Sequence, residues 1–98
     1  MTYVIDPEGE EMAVIHELVD FRGLDVLEVG CGDGRLTWLF AEGCRSVLAI
    51  DPDEQEVDRA IAALPPALAG IVTFRTADVV TIELPAASFD LAVLAWSI

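Results

Sequence analysis

The chain has 98 residues, room for one small domain with a thin margin of buried core. Eighteen acids stand against five arginines and no lysine, a net charge of −13 that repels phosphates and argues against nucleic acid as a partner of this segment. Hydrophobic residues make up 54%, yet no run approaches the ~20 apolar residues of a membrane span. Asp6, Glu8, Glu10 and Glu11 stand where a signal peptide would be basic. A parallel sheet, apolar on both faces, accounts for the hydrophobicity instead.

Residues 1–7 read as a short lead-in ending at Pro7. Residues 8–21 suit a helix, with Met12, Ile15, Leu18 and Val19 on one stripe and Gly23 after its end. His16, on that helix, reads as a satisfied or solvent-facing residue rather than a ligand or base. Residues 25–29 form a first strand. Residues 34–42 form a helix with Leu36, Leu39 and Phe40 inward and Gly43 as its stop. Trp38 is a candidate for closing a pocket or for packing.

Residues 46–50 form a second strand. Asp53 and Glu56 have capping-box spacing and open a helix with Val57, Ala60, Ile61 and Leu64 inward, ended by Pro65-Pro66. Residues 71–75 form a third strand, Asp78 to Ala87 a connection holding Pro85, and residues 89–95 a fourth strand. Strand and helix alternate, so the fold class is α/β with a parallel sheet. Cys31 and Cys44 have neither metal-ligand spacing nor a disulfide framework. They read as reduced thiols of a cytoplasmic protein, and no metal site is expected.

The most informative stretch is Val26-Leu-Glu-Val-Gly-Cys-Gly-Asp-Gly-Arg-Leu-Thr37. An apolar run closes on Glu28, and glycines follow at 30, 32 and 34 before a helical pattern starts. Glycine is needed where the backbone takes positive φ or lies against a ligand. A helix start also offers unpaired N–H groups. The dinucleotide fingerprint is G-x-G-x-x-G with an acid about 20 positions on. Here the third glycine comes one residue early, while the acid is present: Val47-Leu-Ala-Ile50 ends on Asp51. A carboxylate at the tip of the neighbouring strand can accept both hydroxyls of a ribose.

Glu28, Gly30, Gly32, Gly34 and Asp51 together resemble the cofactor site of the class I S-adenosylmethionine-dependent methyltransferases. Phe74-Arg-Thr-Ala-Asp-Val79 resembles that family's third strand and adenine-contacting loop. Ser88-Phe-Asp-Leu-Ala-Val-Leu-Ala95 resembles its fourth strand. The resemblance covers nearly all of the chain. It implies a Rossmann-like sheet of order 3-2-1-4 with helices on both faces, truncated relative to the family's seven strands. Residues 1–98 are then one partial S-adenosylmethionine-binding domain.

By that resemblance the Gly30–Gly34 turn, including Cys31, lies against the methionine part of S-adenosylmethionine. Glu28 helps hold that end, with a turn-stabilising carboxylate as the alternative. Asp51 accepts the ribose hydroxyls, with a helix-capping acid as the alternative. Pro52 lies flat against adenine, Asp78 accepts its amino group and the Val79 N–H reads a ring nitrogen. Ala95, at the end of the fourth strand, completes the cofactor set.

Methyl transfer from a sulfonium is an in-line displacement, so the protein mainly positions donor and acceptor. No catalytic residue and no acceptor can be nominated. Two other readings stay open: a non-catalytic cofactor-binding or interaction module of the same fold, and a nicotinamide-dependent oxidoreductase domain, which the glycine spacing disfavours. As cofactor half of a methyltransferase, the chain alone is expected to be inactive. The apolar fourth strand is expected to be a sheet edge, inviting self-association or a completing partner chain.

Overall fold

The computed structural model describes residues 2–5, 20–78 and 89–94. The expected first helix and most of the 78–87 connection lie outside the described residues, as do Val79, Ala95 and Trp96. The described strands are β1 (Thr2–Ile5), β2 (Asp25–Val29), β3 (Ser46–Asp51), β4 (Val72–Thr76) and β5 (Leu91–Leu94). The helices are α1 (Thr37–Phe40) and α2 (Glu54–Ala63), with a single 3-10 turn at Pro66–Leu68.

The strands form one sheet in the order β1-β5-β2-β3-β4, each pair parallel. The expected order 3-2-1-4 is present as β4-β3-β2-β5. One expectation is corrected. The lead-in is a strand, and it runs beside β5 with Thr2 opposite Leu91 and Ile5 opposite Leu94. The other side of β5 pairs with β2, Val26 opposite Leu91 and Val29 opposite Leu94. The fourth strand of the sequence reading is therefore interior, and self-association through its open edge loses its basis.

The core follows the alternation of the strands. Val26, Val47, Ala49, Leu91 and Val93 cluster with Leu36, Phe40, Ala41 and Cys44 around α1. The rings of Phe21 and Phe40 stack there with centroids 5.2 Å apart. Leu27, Ile50 and Ala92, at alternate positions, are buried too, as strands covered on both faces should be. The amino ends of the strands are tied by charge. Asp25 accepts from Arg45 Nε at 2.9 Å and from Ser46 Oγ at 2.7 Å. The Asp25 N–H in turn donates to the Asp90 carboxylate at 2.9 Å. The carboxyl ends are left for the site.

Two inward expectations fail. Leu39 and Ile61 are both 53% exposed. α1 is a single turn, and Thr37 and Phe40 take its buried side. α2 rests on β3 and β4 through Val57 and Ala60. Among the described residues β4 ends the sheet, and no described strand extends under the flank that carries Ile61.

Candidate functional site

β2 and β3 end side by side, Val29 opposite Ile50. The chain leaves β2 through Gly30, Gly32 and Gly34 at φ of 81°, 54° and 92°. These left-handed values are what the alternate glycines permit, since a side chain would be strained at each. The turn is stitched to β3. Gly30 N and Cys31 N both donate to the Ile50 carbonyl, at 2.9 and 3.1 Å, and Gly32 N donates to Asp51 Oδ2 at 2.9 Å. At Gly34 a methyl group would sit 2.5 Å from Trp38 Cζ2. The Trp38 indole thus lies directly on the glycine backbone, and its ring meets Phe74 edge-on at 5.6 Å.

Asp51 has two structural duties. Oδ2 takes the Gly32 N–H and Oδ1 takes the Asp53 N–H at 2.8 Å. Asp53 caps α2, its Oδ1 accepting from Gln55 N at 2.9 Å and Glu56 N at 3.5 Å. The capping box is therefore half made: the acid caps forward, while the Asp53 N–H goes to Asp51 and Glu56 pairs with Arg59. Each Asp51 oxygen, holding one N–H, retains a lone pair for a further donor.

Glu28 lies beneath the turn, fully buried in β2 between Ala49 and Val93. Its Oε1 accepts a hydrogen bond from Thr37 Oγ1. Its Oε2 is buried and has no hydrogen-bond partner among the described residues. Burial pushes the Glu28 carboxyl up to about 7; the Thr37 bond opposes the shift and the nearby Asp51 charge adds to it. A buried unpaired acceptor is costly, so this oxygen is an opening for a donor.

The remaining predicted residues fall as follows. Cys31 is buried in the turn, its Sγ donating to the Gly32 carbonyl at 3.6 Å. Burial raises both thiols, Cys44 to about 11, which makes them inert packing groups. Pro52 is exposed beside Asp51. Ala77 N donates to the Asp51 carbonyl at 3.0 Å, which sets exposed Asp78 next to that corner. The structure thus gathers Glu28, Gly30, Cys31, Gly32, Gly34 and Asp51, with Pro52 and Asp78 at the margin. Val79 and Ala95 lie outside the described residues.

Sequence reasoning missed Thr37. A lone threonine nine residues past Glu28 carries no motif; only a one-turn helix folding back over the strand brings the two together. Among the described residues no three histidine, cysteine or acidic side chains are grouped to hold a metal. No described helix is long and apolar enough to cross a membrane.

The family model described as a methyltransferase domain matches residues 26–98. The chain is 43% identical over 68 residues to ribosomal RNA small subunit methyltransferase A of Cereibacter sphaeroides, covering 68% of this chain and 24% of that protein. It is 34% identical over 91 residues to a ribosomal protein arginine N-methyltransferase of Schizosaccharomyces pombe, covering 91% of this chain and 17% of that protein. The crystal structure of an S-adenosylmethionine dependent methyltransferase from Mesorhizobium loti superposes with a TM-score of 0.72 at 36% identity, covering 88% of this chain and 38% of that one. The chain thus spans less than half the length of each. The match runs from the start of the glycine strand onward, over the same turn and strand tips that hold Glu28 and Asp51. On the fold, the turn and these matches together, the chain belongs to the class I methyltransferases, the family whose cofactor is S-adenosylmethionine.

Proposed function

We propose that this chain binds S-adenosylmethionine across the carboxyl ends of β2 and β3 and serves as the cofactor-holding portion of a methyltransferase. The observation that carries the reading is the convergence of two carboxylates on one glycine turn. Glu28 offers a buried oxygen with no partner among the described residues, and Asp51 offers lone pairs beyond those its two backbone N–H groups use. Both features fit the group. The unpartnered oxygen suits a cationic ammonium, and the Asp51 lone pairs suit a vicinal diol. Glu56 adds negative charge, its Oε2 being 3.6 Å from where a Cβ on Gly32 would sit.

When bound, S-adenosylmethionine supplies an activated methyl group. The work of the chain's own residues is to hold and orient. The glycine turn gives close backbone approach, with Trp38 packed over Gly34. Glu28 and Asp51 fix the two ends of the ligand, and Pro52 and Asp78 are the proposed adenine contacts. We expect turnover to need elements outside these 98 residues, because the chain matches 17–24% of the two curated relatives above. One of these is named for ribosomal RNA and the other for a ribosomal protein arginine, so likeness over this segment does not select an acceptor. The charge of −13 disfavours phosphate contacts by this segment itself.

Isothermal titration with S-adenosylmethionine, S-adenosylhomocysteine and NAD tests the reading. Preferential binding of the two sulfur ligands supports it. Tighter binding of NAD, or none of the three bound by a folded chain, overturns it.

A further inference from the structure

Thr37 and Glu28 straddle the glycine turn, one opening α1 and the other one residue before the end of β2. Both are fully buried. The Thr37 hydroxyl donates to Glu28 Oε1. A helical threonine commonly spends its hydroxyl on the carbonyl one turn back; here it is spent on a carboxylate of another element. The other end of the bond is held as well. Glu28 is locked in register between Ala49 and Val93, and the Thr37 carbonyl accepts from Ala41 N at 3.0 Å. β-branching leaves Thr37 few rotamers. One carboxylate oxygen is thereby pinned, while the second is buried and unpartnered among the described residues.

Among the described residues, no cation is among the groups that act on Glu28; Arg75, on the edge strand β4, is exposed. β3 brings Asp51, the turn brings the Cys31 thiol, and Glu56 of α2 acts on Cys31 in turn. β5 contributes Leu91, Ala92, Val93 and Leu94, none ionisable. The ion pairs of Arg22, Arg35, Arg45 and Arg59 all go to other acids. An ionised Glu28 would be an unpaired buried anion, so without ligand the neutral acid is favoured.

We propose that Thr37 is a positioning residue: by fixing Oε1 of Glu28 it reserves Oε2 for the ammonium group at the aminoacyl end of the ligand, and ligand binding releases the Glu28 proton to solvent. The inference rests on the cofactor reading given above. The proton balance is simple. Glu28 enters as the neutral acid and the ligand as the ammonium cation. The bound state pairs carboxylate with ammonium, and one proton passes to the buffer. Release is largest at mildly acidic pH, where Glu28 without ligand is protonated, and vanishes at alkaline pH, where it is already ionised.

Two measurements on the full chain test this. The first needs no ligand: carbon-13 NMR titration of chain labelled at the glutamate carboxyls, with Glu28→Gln identifying the Glu28 signal. Thr37→Val should raise the Glu28 midpoint by about half a pH unit or more, and Thr37→Ser should return it toward the parent value. A midpoint unmoved by Thr37→Val in a folded chain overturns the proposal. The second is calorimetry with S-adenosylhomocysteine and with adenosine, which lacks the aminoacyl end, in buffers of different ionisation enthalpy.

Thr37→Val should weaken S-adenosylhomocysteine by about tenfold, leave adenosine unchanged and move the proton release to higher pH along with the Glu28 midpoint, with Thr37→Ser reversing both changes. Equal losses for the two ligands, or no proton release by the parent chain near pH 6, would make Thr37 merely structural. Should Thr37→Val fail to fold, Glu28→Gln gives the same discrimination between the two ligands. If adenosine binds and the aminoacyl end adds no affinity, the proposal fails while the cofactor site stands. If the folded parent binds neither compound, the cofactor reading itself fails and takes the proposal with it.

Discussion

Asp51 Oδ2 accepts the backbone N–H of Gly32 at 2.9 Å, across nineteen positions of sequence. The same carboxylate accepts the Asp53 N–H through Oδ1 at 2.8 Å. One side chain at the tip of β3 therefore sets both the glycine turn after β2 and the approach to α2. Ligand-binding and turn-stabilising roles are usually weighed as alternatives for such an acid. Here the second is present in the geometry, and it arranges the donors and lone pairs on which the proposed first role would draw.

Asp51→Ala is accordingly expected to act twice. Loss of two backbone acceptors should lower stability by about 1–3 kcal/mol. Loss of the ribose acceptor should weaken S-adenosylhomocysteine tenfold or more. Denaturant unfolding and calorimetry on one sample separate the effects, and Asp51→Asn, keeping one acceptor, should fall between. An unchanged dissociation constant would place the ribose elsewhere.

Gly34→Ala should be more damaging than Gly32→Ala. Both positions have positive φ, but a Cβ on Gly34 meets Trp38 Cζ2 at 2.5 Å, while one on Gly32 meets only the end of Glu56 at 3.6 Å. Backbone strain of about 1–2 kcal/mol applies to each, and overpacking adds a further ~1–3 kcal/mol at Gly34. In Gly34→Ala/Trp38→Ala the clash disappears and the strain remains. A double-mutant cycle by chemical denaturation should show coupling of favourable sign between the two changes. Additive losses would mean the indole does not rest on the glycine.

Much of this was legible in the sequence because buried parallel strands are written as short apolar runs. Val47-Leu48-Ala49-Ile50 ends on Asp51 and Val26-Leu27 runs into Glu28, so the strand tips and their acids could be placed without coordinates. Alternate glycines marked the turn. Thr2–Ile5 escaped notice although all four residues favour strands. Four residues before Asp6-Pro7 show no alternation, and their partner β5 is eighty-six positions away or more. Thr37 escaped for the same reason: its partner is fixed by how α1 folds over β2, not by spacing. Leu39 and Ile61 went the other way: both are apolar residues at helical spacing, and both are half exposed, while Thr37 and Phe40, or Val57 and Ala60, take the buried sides of their helices.

Stability should depend on Glu28 with a definite sign. Its folded value is raised from 4.5 to about 7, chiefly by burial. Between these values the folded chain holds a proton that the unfolded chain has lost. The contribution of Glu28 is intact below pH ~4.5 and falls away as pH rises through 7, by on the order of 3 kcal/mol. Glu28→Gln keeps the shape and cannot ionise. Without ligand, its unfolding free energy should lose this decline and exceed the parent's at pH 8, while matching it more closely at pH 5. A parent curve parallel to that of Glu28→Gln across this range would mean Glu28 is ionised in the folded chain at no cost.

The N-terminal strand carries the last prediction. β5 is apolar, and Leu91, Ala92 and Val93 are all buried. Its backbone is paired on one side by β2 and on the other by β1. Removing residues 1–5 would leave a row of N–H and C=O groups open along β5, without lysine or proline to discourage a second chain. Light scattering should then show the shortened chain associating more than the full chain. Added salt should strengthen that association by screening the charge of −13. Val93 is fully buried inside the sheet, so a lysine placed there would destabilise the fold and not report on the edge. Equal association of the full and shortened chains would show that β1 does not shield β5 in solution.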